Sequence, residues 1–343
     1  MQFHSDKSVV LGFSGGMDSI TAARKLTAEG WRVVAVTLDT VGDALMLDKA
    51  QRVAAEMGIE HHIVDVREAF QRYIIDYFIS EYKRGCTPAP CTVCNSTIKW
   101  RFLIEQADAL GIEKVATGHY FRVEREGDKY FVARAADRTK DQSYYLWDLP
   151  QSVLSRVITP MSEMIKSNVR ENFTDKRESM GICFLRGRSY REFLTQHAPE
   201  VLRGGDIVTT EGDVVGQHDG VAFYTIGQKR GMELSIGGLA VVDIDASRNI
   251  IIVGTPDKLY KHTLDITQCN IVDKKLFESA GDISLIIRGI GRNPEGDIIN
   301  KKPMAEGYRI TLEHPAWAPA IGQPVVFYRQ NRVLGGGFIS RYF

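Results

Sequence analysis

The strongest constraint on this chain is the stretch VVLGFSGGMDS at residues 9–19, followed by the helix-forming run ITAARKLTAEG. Apolar residues suited to a buried strand lead into a Ser-Gly-Gly turn, and Ile20, Ala23 and Leu26 then recur at helical spacing. This pattern predicts a strand, a tight loop and a helix. Because glycines leave backbone N–H groups accessible and a helix N-terminus attracts negative charge, the loop is predicted to bind an anion.

Three side chains of this loop bear on the anion site. Ser14 and Ser19 are predicted to supply hydroxyl donors, and Asp18 is predicted either to cap the helix or to hold a magnesium ion. The loop is not a Walker A motif, because no Lys-Ser or Lys-Thr pair follows the glycines. The competing interpretation is an ordinary glycine-rich turn in a doubly wound protein.

Bulk properties restrict the class of protein. A length of 343 residues predicts two or three domains, and 44% hydrophobic with 25% charged residues is typical of a globular chain. No apolar run reaches eighteen residues and no secretion signal is evident, so we expect a cytoplasmic protein without a membrane span. The net charge of zero argues against coating of nucleic acid by charge alone, although local basic faces stay available.

Strands and helices are predicted to alternate in the first half of the chain, which indicates an α/β fold with a doubly wound parallel sheet. Ligands of such sheets bind at the carboxyl ends of the strands. From residue 205 onward, short alternating strands and turn signals predict a central β unit and a C-terminal β-barrel. The predicted segments are strands at 32–38, 61–66 and 115–120, helices at 43–58, 67–83, 100–109 and 163–173, and a hairpin at 122–135.

Three of the five cysteines lie close together in GCTPAPCTVCNSTIK, residues 85–99. Two prolines are predicted to break regular structure there and to present Cys86, Cys91 and Cys94 on a stiff loop, with Asn95 or Ser96 capping the next helix. The Cys-x-x-Cys spacing serves thiolate activation, metal binding or a reversible disulfide.

Two other polar segments have less specific patterns. The segment KDQSYYLWDL at 140–149 combines a cation, a carboxylate, an amide and aromatics, and its aromatics are predicted to lie in the core. His61 and His62 open a strand and are predicted to be surface or core residues rather than ligands.

Taken together, the motifs resemble those of the tRNA-specific 2-thiouridylases (MnmA, also called TrmU), members of the ATP-pyrophosphatase superfamily. The resemblance covers almost the whole chain and rests on GFSGGMDS, TPAPCTVCNSTIKW, ATGHY, KDQSYYLW, MGICF, FYTIGQKRG and VFYRQNRVLGGGFI. It implies a catalytic domain at 1–198, a central β-rich tRNA-binding domain at 199–262 and a C-terminal β-barrel at 263–343.

The resemblance also implies an enzyme, a tRNA-uridine 2-sulfurtransferase that converts ATP to AMP and diphosphate with Mg²⁺. The C2 oxygen of the wobble uridine attacks the α-phosphate, and a cysteine persulfide then delivers sulfur to C2, leaving a disulfide. The implied partners are the anticodon arm of tRNA and a persulfide-donating relay protein or cysteine desulfurase.

Individual residues follow from their positions in the motifs. Cys94 matches the catalytic nucleophile and Cys183 the persulfide carrier, while Asp18 acts in adenylation. The implied nucleotide-binding residues are Gly12, Phe13, Ser14, Gly15, Gly16, Met17, Asp18, Ser19, Leu38 and Gly118. The implied contacts to the target base or tRNA are Ala89, Pro90, Cys91, His119, Lys140, Asp141, Gln142, Arg288 and Gln323.

The sequence departs from the family pattern in three places. It reads CTPAP where relatives usually read RTPNP, it has Cys91 where some have Asp, and the segment after Leu38 is shorter. Two alternatives therefore stay open: an iron–sulfur-dependent tRNA thiolase using Cys86, Cys91, Cys94 and Cys183, and a diverged RNA-binding or persulfide-relay paralogue. Structural zinc is less favoured, because a second Cys-x-x-Cys is lacking.

Overall fold

The structure is a computed structural model that describes residues 7–174, 181–289 and 291–343. Its strands are β1 (Ser8–Gly12), β2 (Arg32–Asp39), β3 (Glu60–Asp65), β4 (Lys114–Thr117), β5 (Arg122–Glu126), β6 (Lys129–Ala133), β7 (Val157–Ile158), β8 (Gly205–Thr209), β9 (Val214–His218), β10 (Ala240–Asp245), β11 (Ile250–Gly254), β12 (Tyr260–Ile271), β13 (Ser284–Ile286), β14 (Ile298–Met304), β15 (Gly307–Trp317), β16 (Pro324–Arg329) and β17 (Arg332–Tyr342). Its α-helices are α1 (Met17–Ala28), α2 (Ala44–Glu56), α3 (Arg67–Phe70), α4 (Asp76–Lys83), α5 (Pro90–Cys94), α6 (Trp100–Ala109), α7 (Gln151–Leu154), α8 (Lys166–Glu171), α9 (Tyr190–His197) and α10 (Lys274–Ser279), and π-helical turns occupy Gln71–Ile75 and Asn95–Lys99.

The chain divides into two compact units. The first comprises the described parts of Met1–Ile74, Cys91–Ser179 and Asn331–Leu334, and the second those of Ile75–Pro90, Met180–Gln330 and Gly335–Phe343. The MGICF motif begins at Met180, which lies outside the described residues. No helix within the described ranges is long and apolar enough to cross a membrane.

The first unit is built on a parallel sheet with strand order β3-β2-β1-β4-β7. In β1, Val10 pairs with Val34 of β2 on one side and with Val115 of β4 on the other, and all three side chains are fully buried. Helices supply further apolar residues to this core, including Ala22, Leu26 and Ala50. The predicted α/β class with a parallel sheet is confirmed.

Most local predictions for this unit agree with the structure. Asp43 caps α2, since its carboxylate accepts a hydrogen bond of 3.2 Å from the N–H of Met46. The predicted hairpin is present as β5 and β6. The strand predicted at 115–120 is wrong beyond Thr117, because β4 ends there and the chain turns at Gly118.

The segment around the cysteines is helical, so the prediction of a stiff loop is wrong for Cys91 and Cys94. Pro90 is the first residue of α5, a position at which the missing N–H of proline costs nothing and its fixed φ favours a helix. Asn95 caps no helix; it lies in the π-helical turn, where its Nδ2 donates to the carbonyl of Cys91 at 2.9 Å. Helical structure therefore begins five residues earlier than Asn95.

The second unit is rich in β-structure, as predicted. One sheet has the order β10-β11-β8-β9, and a larger sheet contains β13-β16-β17-β12-β15-β14. Leu264 and Ile266 of β12 are fully buried and pair with both β15 and β17. The loop before Ala89 belongs to this unit, where the N–H of Thr87 donates to the carbonyl of Ile321 at 2.8 Å.

Candidate active site

The candidate site of the first unit lies at the carboxyl ends of β1 and β4. The strand order reverses between these neighbours, since β2 and β3 lie beyond β1 while β7 lies beyond β4. Loops that leave such a switch point in opposite directions open a crevice in which doubly wound proteins bind ligands. Here the two loops carry the Ser-Gly-Gly turn and the segment Gly-His-Tyr at 118–120.

The Ser-Gly-Gly turn is held in one shape by its own hydrogen bonds. Gly15 has φ +64°, and a Cβ atom there would lie 2.9 Å from the Cα of Ala50 in α2. The hydroxyl of Ser19 donates to the carbonyl of Gly16 at 2.9 Å and accepts from the N–H of Ser14 at 3.3 Å. Ser19 therefore uses its proton to close the loop, at the N-terminal end of α1.

Asp18 does not cap α1, so that alternative is wrong. The N-cap is Gly16, without a side-chain cap, and Asp18 lies in the first turn of the helix. Its carboxylate instead binds the ammonium group of Lys166, whose Nζ lies 2.6 Å from Oδ1 and 2.7 Å from Oδ2. The hydroxyl of Tyr120 donates to Oδ1 at 2.9 Å.

Sequence reasoning missed Lys166 and the role of Tyr120. Lys166 begins α8, after β7, which is the outermost strand beside β4. A strand of two residues, such as β7, is too short to show a periodic pattern in the sequence. The position of Lys166 near the carboxyl ends of the strands could therefore not be predicted. The only signal in the sequence was the Gly-His-Tyr segment itself. It predicted that Tyr120 lies near the nucleotide, but it did not indicate the hydrogen bond to Asp18.

Gly118 allows the second loop to approach the first closely. A Cβ atom at this residue would lie 2.9 Å from both the carbonyl carbon of Asp18 and the backbone nitrogen of Ser19. Real Cβ atoms do not approach backbone atoms so closely, so glycine is required here for steric reasons. Gly118 thus sets the width of the crevice above α1.

His119 links this loop to the helix that carries the cysteines. Its Nε2 lies 3.1 Å from Nζ of Lys99, and its Nδ1 lies 2.7 Å from Oγ1 of Thr117. Since an ammonium group can only donate, Nε2 accepts and the ring proton is on Nδ1. Burial, together with the charge of Lys99, holds the pKa of His119 well below its ordinary value, so the ring is neutral. The ring also stacks on Trp100.

A second histidine supports the start of the Ser-Gly-Gly turn, which we call the phosphate loop after its predicted ligand. Oγ1 of Thr37 donates to the carbonyl of Phe13 at 2.6 Å and lies 2.8 Å from Nε2 of His61. Burial, and to a smaller extent the neighbouring His62, lowers the pKa of His61. His61 is therefore a partly buried residue that supports the turn through Thr37.

The cysteines differ strongly in environment. Cys91 is exposed and Cys94 is half-buried in the first unit, whereas Cys183 is exposed in the second. Burial raises the pKa of Tyr145, and the nearby Cys91 adds to that rise, which places the 140–149 segment beside this thiol. Cys86 is buried; desolvation and then Glu81 raise the pKa of its thiol, which favours the protonated form.

The cysteines do not form a recognisable cluster site. Within residues 7–174, 181–289 and 291–343, no group of three or more His, Cys, Asp or Glu side chains is arranged to hold a metal ion. The described residues therefore show no preformed ligand set for the iron–sulfur alternative.

Several residues predicted to contact tRNA already use their polar atoms within their own unit. In the first unit, Asp141 accepts from the N–H of Ala135 at 2.9 Å and from the hydroxyl of Ser143 at 2.6 Å. In the second, Oε1 of Gln323 accepts from the N–H of Ala320 at 3.1 Å, and Arg288 donates to the carbonyl of Trp317 at 2.9 Å. Ala89 and Pro90 also lie in the second unit, while Lys140 and Gln142 lie in the first.

The fold and this loop together define a class. A parallel sheet with a Ser-Gly-Gly-Met-Asp-Ser turn at its switch point is the nucleotide-binding domain of an ATP-pyrophosphatase. Protein-family models match residues 7–187 as a tRNA methyl transferase HUP domain, 191–255 as a tRNA methyl transferase PRC-barrel domain and 262–339 as an aminomethyltransferase beta-barrel domain.

Similar proteins narrow the class to one family. The chain is 39% identical to tRNA-specific 2-thiouridylase MnmA 3 of Bacteroides fragilis, covering 98% of this chain and 95% of that protein. It is 37% identical to tRNA-specific 2-thiouridylase MnmA of Salinibacter ruber, covering 96% and 94%. The chain belongs to the tRNA-specific 2-thiouridylase family.

Proposed function

We propose that this protein is an ATP-dependent tRNA-uridine 2-sulfurtransferase that adenylates the C2 oxygen of the wobble uridine and replaces it with sulfur. The observation that carries the proposal is the double contact of the Gly-His-Tyr segment. Gly118 packs on the phosphate loop at Asp18, while His119 contacts Lys99, five residues after Cys94. One short loop thus connects the nucleotide crevice with the helix of the proposed nucleophile.

Adenylation requires charge stabilisation at the phosphates of ATP. We propose that the turn at Gly15 and Gly16 and the N-terminus of α1 bind these phosphates, with Leu38 and Gly118 contacting the rest of the nucleotide. The uridine C2 oxygen attacks the α-phosphate, the bond to the β-phosphate breaks, and diphosphate leaves. The rigid loop contributes by holding the reacting atoms in line.

Asp18 suits a magnesium ion that accompanies the nucleotide. Its side chain is 36% exposed beside the phosphate loop, and Mg²⁺ is commonly bound by one carboxylate together with substrate phosphates and water. A magnesium ion held there would neutralise charge on the phosphates. The residues fit this role if Lys166 withdraws from at least one carboxylate oxygen.

Sulfur transfer is assigned to Cys183 and Cys94. The terminal sulfur of a persulfide on Cys183 attacks C2, and AMP leaves with the former C2 oxygen. The thiolate of Cys94 then attacks Sγ of Cys183, which breaks the S–S bond, releases 2-thiouridine and forms a disulfide. An external thiol reductant must return two electrons to this disulfide, and a persulfide-donating protein must reload Cys183.

Cys94 is the fifth residue of α5, counted from Pro90, and the helical segment continues beyond it as a π-helical turn. Cys91, which replaces the aspartate of some relatives, is exposed one turn earlier beside Tyr145. We propose that Cys91 contacts the target base rather than activating Cys94.

The domain boundaries predicted above, 1–198, 199–262 and 263–343, belong to the same proposal. The segments 199–262 and 263–343 would bind the anticodon arm, with Arg288 and Gln323 contributing from 263–343. Contacts between cationic side chains and tRNA phosphates would make this binding salt-dependent.

The proposal is tested with purified full-length protein, unmodified tRNA transcripts, ATP, magnesium, a thiol reductant, and a cysteine desulfurase with L-cysteine as the source of persulfide sulfur. We expect tRNA-dependent AMP release and 2-thiouridine, measured by nucleoside mass spectrometry. Cys183→Ser should abolish 2-thiouridine while leaving tRNA-dependent AMP release measurable, whereas Asp18→Asn should reduce AMP release first. Absence of AMP release with every tRNA tested would contradict the proposal and favour a binding paralogue.

A further inference from the structure

We propose that Lys166 is a phosphate ligand for the nucleotide and that its ammonium group moves from Asp18 to the phosphates when ATP binds. The inference rests on the proposed function, since it assigns a new residue to the same crevice. It starts from an unusual arrangement: a lysine that is only 5% exposed points its charge at a carboxylate on the rim of an anion-binding loop.

The backbone of Lys166 is fixed in place by a neighbouring turn. Its N–H donates to Oδ2 of Asp137 at 2.8 Å, and Oδ1 of the same carboxylate accepts from the N–H and the hydroxyl of Thr139 at 3.0 and 2.7 Å. Although burial opposes it, these hydrogen bonds hold the pKa of Asp137 below its ordinary value. Asp137 therefore anchors the start of α8 as a charged carboxylate.

The rest of α8 packs against the core of the first unit. Val169 is 1% exposed and belongs to the same apolar cluster as Phe13, Ala22 and Tyr120. The base of the Lys166 side chain is thus fixed relative to the phosphate loop, so that only a change of rotamer in its four-carbon stem would carry Nζ from Asp18 to the phosphates. Nζ lies 5.7 Å from the centre of the Tyr120 ring, which forms one wall of its path.

The charge balance of the crevice calls for such a cation. Asp18 carries a negative charge where phosphates would enter, and repulsion between them would weaken binding unless a cation offsets it. A buried ammonium group must also stay paired, because an uncompensated buried charge is costly. Exchange of the Asp18 oxygens for phosphate oxygens keeps the ammonium paired and leaves Asp18 available to a magnesium ion.

Tyr120 makes this exchange tolerable for Asp18. Its hydroxyl donates to Oδ1 at 2.9 Å, a hydrogen bond that does not depend on the ammonium group, and the carboxylate is partly exposed to water. A compact ammonium group on a flexible stem suits the transfer better than a planar guanidinium, which is held by its fixed fork of donors. Lys166 would therefore neutralise the diphosphate as it leaves.

Two roles must be separated: Lys166 binds phosphate directly, or it merely cancels the charge of Asp18. We would measure affinity by calorimetry for ATP and for adenosine, in EDTA and without tRNA, using wild type, Lys166→Met, Asp18→Asn and the double variant. Lys25→Met, at the opposite end of α1, removes the same charge as a matched control.

We expect Lys166→Met to weaken ATP binding at least tenfold, with adenosine binding changed less than twofold and Lys25→Met like wild type. The double variant should regain part of this loss, because Asp18 no longer repels the phosphates, but it should stay several-fold weaker than Asp18→Asn. Equal affinity of the double variant and Asp18→Asn would show that Lys166 acts only on Asp18, and unchanged affinity in Lys166→Met would also overturn the inference. Retained adenosine binding reports a folded crevice; if it is lost, Lys166→Gln replaces Lys166→Met under the same criteria.

Failure of the proposed function has a different signature. If the wild-type protein binds neither ATP nor adenosine, the assignment of the crevice itself is wrong. If the wild-type protein binds ATP and adenosine but Lys166→Met binds ATP as tightly as wild type, the proposed function is retained and only the role of Lys166 is wrong.

Discussion

Gln142 and Tyr120 exchange two hydrogen bonds: the N–H of Tyr120 donates to Oε1 of Gln142 at 2.9 Å, and the N–H of Gln142 donates to the carbonyl of Tyr120 at 2.8 Å. Tyr120 in turn donates its hydroxyl to Asp18. The segment predicted to contact tRNA is therefore linked to Asp18 through a single residue, Tyr120. Loss of the Gln142 side chain should therefore weaken nucleotide binding even without RNA.

The first prediction follows from this connection. Gln142→Ala leaves the N–H of Tyr120 without its acceptor, which costs about 1–3 kcal/mol when the donor is buried. We expect several-fold weaker ATP binding by calorimetry in the absence of tRNA. Gln151→Ala is a matched control, because Gln151 makes a similar pair of 2.8 Å hydrogen bonds with the backbone of Tyr130 in β6.

The connection would be contradicted by equal ATP affinity in Gln142→Ala and Gln151→Ala, provided that both variants show wild-type circular dichroism. In that case Gln142 would serve local structure alone. A loss confined to tRNA affinity would support its direct contact with RNA instead.

Gly118→Ala tests the steric requirement at the crevice. The added methyl group would lie 2.9 Å from backbone atoms of Asp18 and Ser19, so the two loops must separate. Overpacking of this kind costs about 1–3 kcal/mol. We expect a lower midpoint of thermal unfolding and at least tenfold weaker ATP binding. Gly237→Ala, where nothing lies within 4 Å of the added atom, should change neither quantity.

The cysteines give a third prediction. Cys86 is buried and its raised pKa favours the thiol, so Cys86→Ala should retain 2-thiouridine formation within about twofold of wild type once the fraction folded is matched. Cys94→Ala should abolish 2-thiouridine. Both are measured by nucleoside mass spectrometry of reacted tRNA. Complete loss of 2-thiouridine formation in a folded Cys86→Ala variant would instead favour the iron–sulfur-dependent thiolase.

His119 gives a prediction about stability and pH. Because its folded-state pKa lies well below the ordinary value of 6.5, the unfolded chain takes up a proton as pH falls through that value while the folded chain does not. The free energy of unfolding should therefore decrease between pH 7 and pH 5, measured by urea denaturation. His61 and His218, whose pKa values are also lowered mainly by burial, contribute in the same direction.

Replacement of His119 by Asn should flatten this dependence, because one of the groups that binds a proton only in the unfolded state is removed. The variant will be less stable at pH 7 through loss of its contacts with Lys99 and Thr117. Identical slopes for the two proteins would contradict the assignment of a neutral, proton-excluding His119.

Local sequence patterns were sufficient for the phosphate loop and the class of fold. The strand, turn and helix at Val9 to Ser19 are contiguous, and glycine chemistry at Gly15 dictates the turn without help from distant residues. Alternation of strands and helices likewise predicts a parallel sheet. The motifs around Cys94 and Cys183 could be recognised for the same reason, because each is a short contiguous stretch.

The path of the chain around the cysteines was not predictable from such patterns. Prolines usually interrupt regular structure, yet Pro90 takes the one helical position that tolerates its missing N–H, and Asn95 is absorbed into a π-helical turn. Tertiary packing decides between these outcomes: Ile98, Trp100 and Leu103, which follow in the same helical segment, are fully buried.

The sequence by itself determined a Ser-Gly-Gly turn at the end of a buried strand and the alternation of strands and helices that forms the parallel sheet, since each of these is encoded by neighbouring residues. Only the tertiary structure decided what Asp18 does. Its partners, Tyr120 and Lys166, are 102 and 148 residues away in the chain, and they meet it because parallel strands deliver the ends of β1, β4 and β7 to one edge of the sheet. No local pattern specifies an ion pair between elements so distant in sequence.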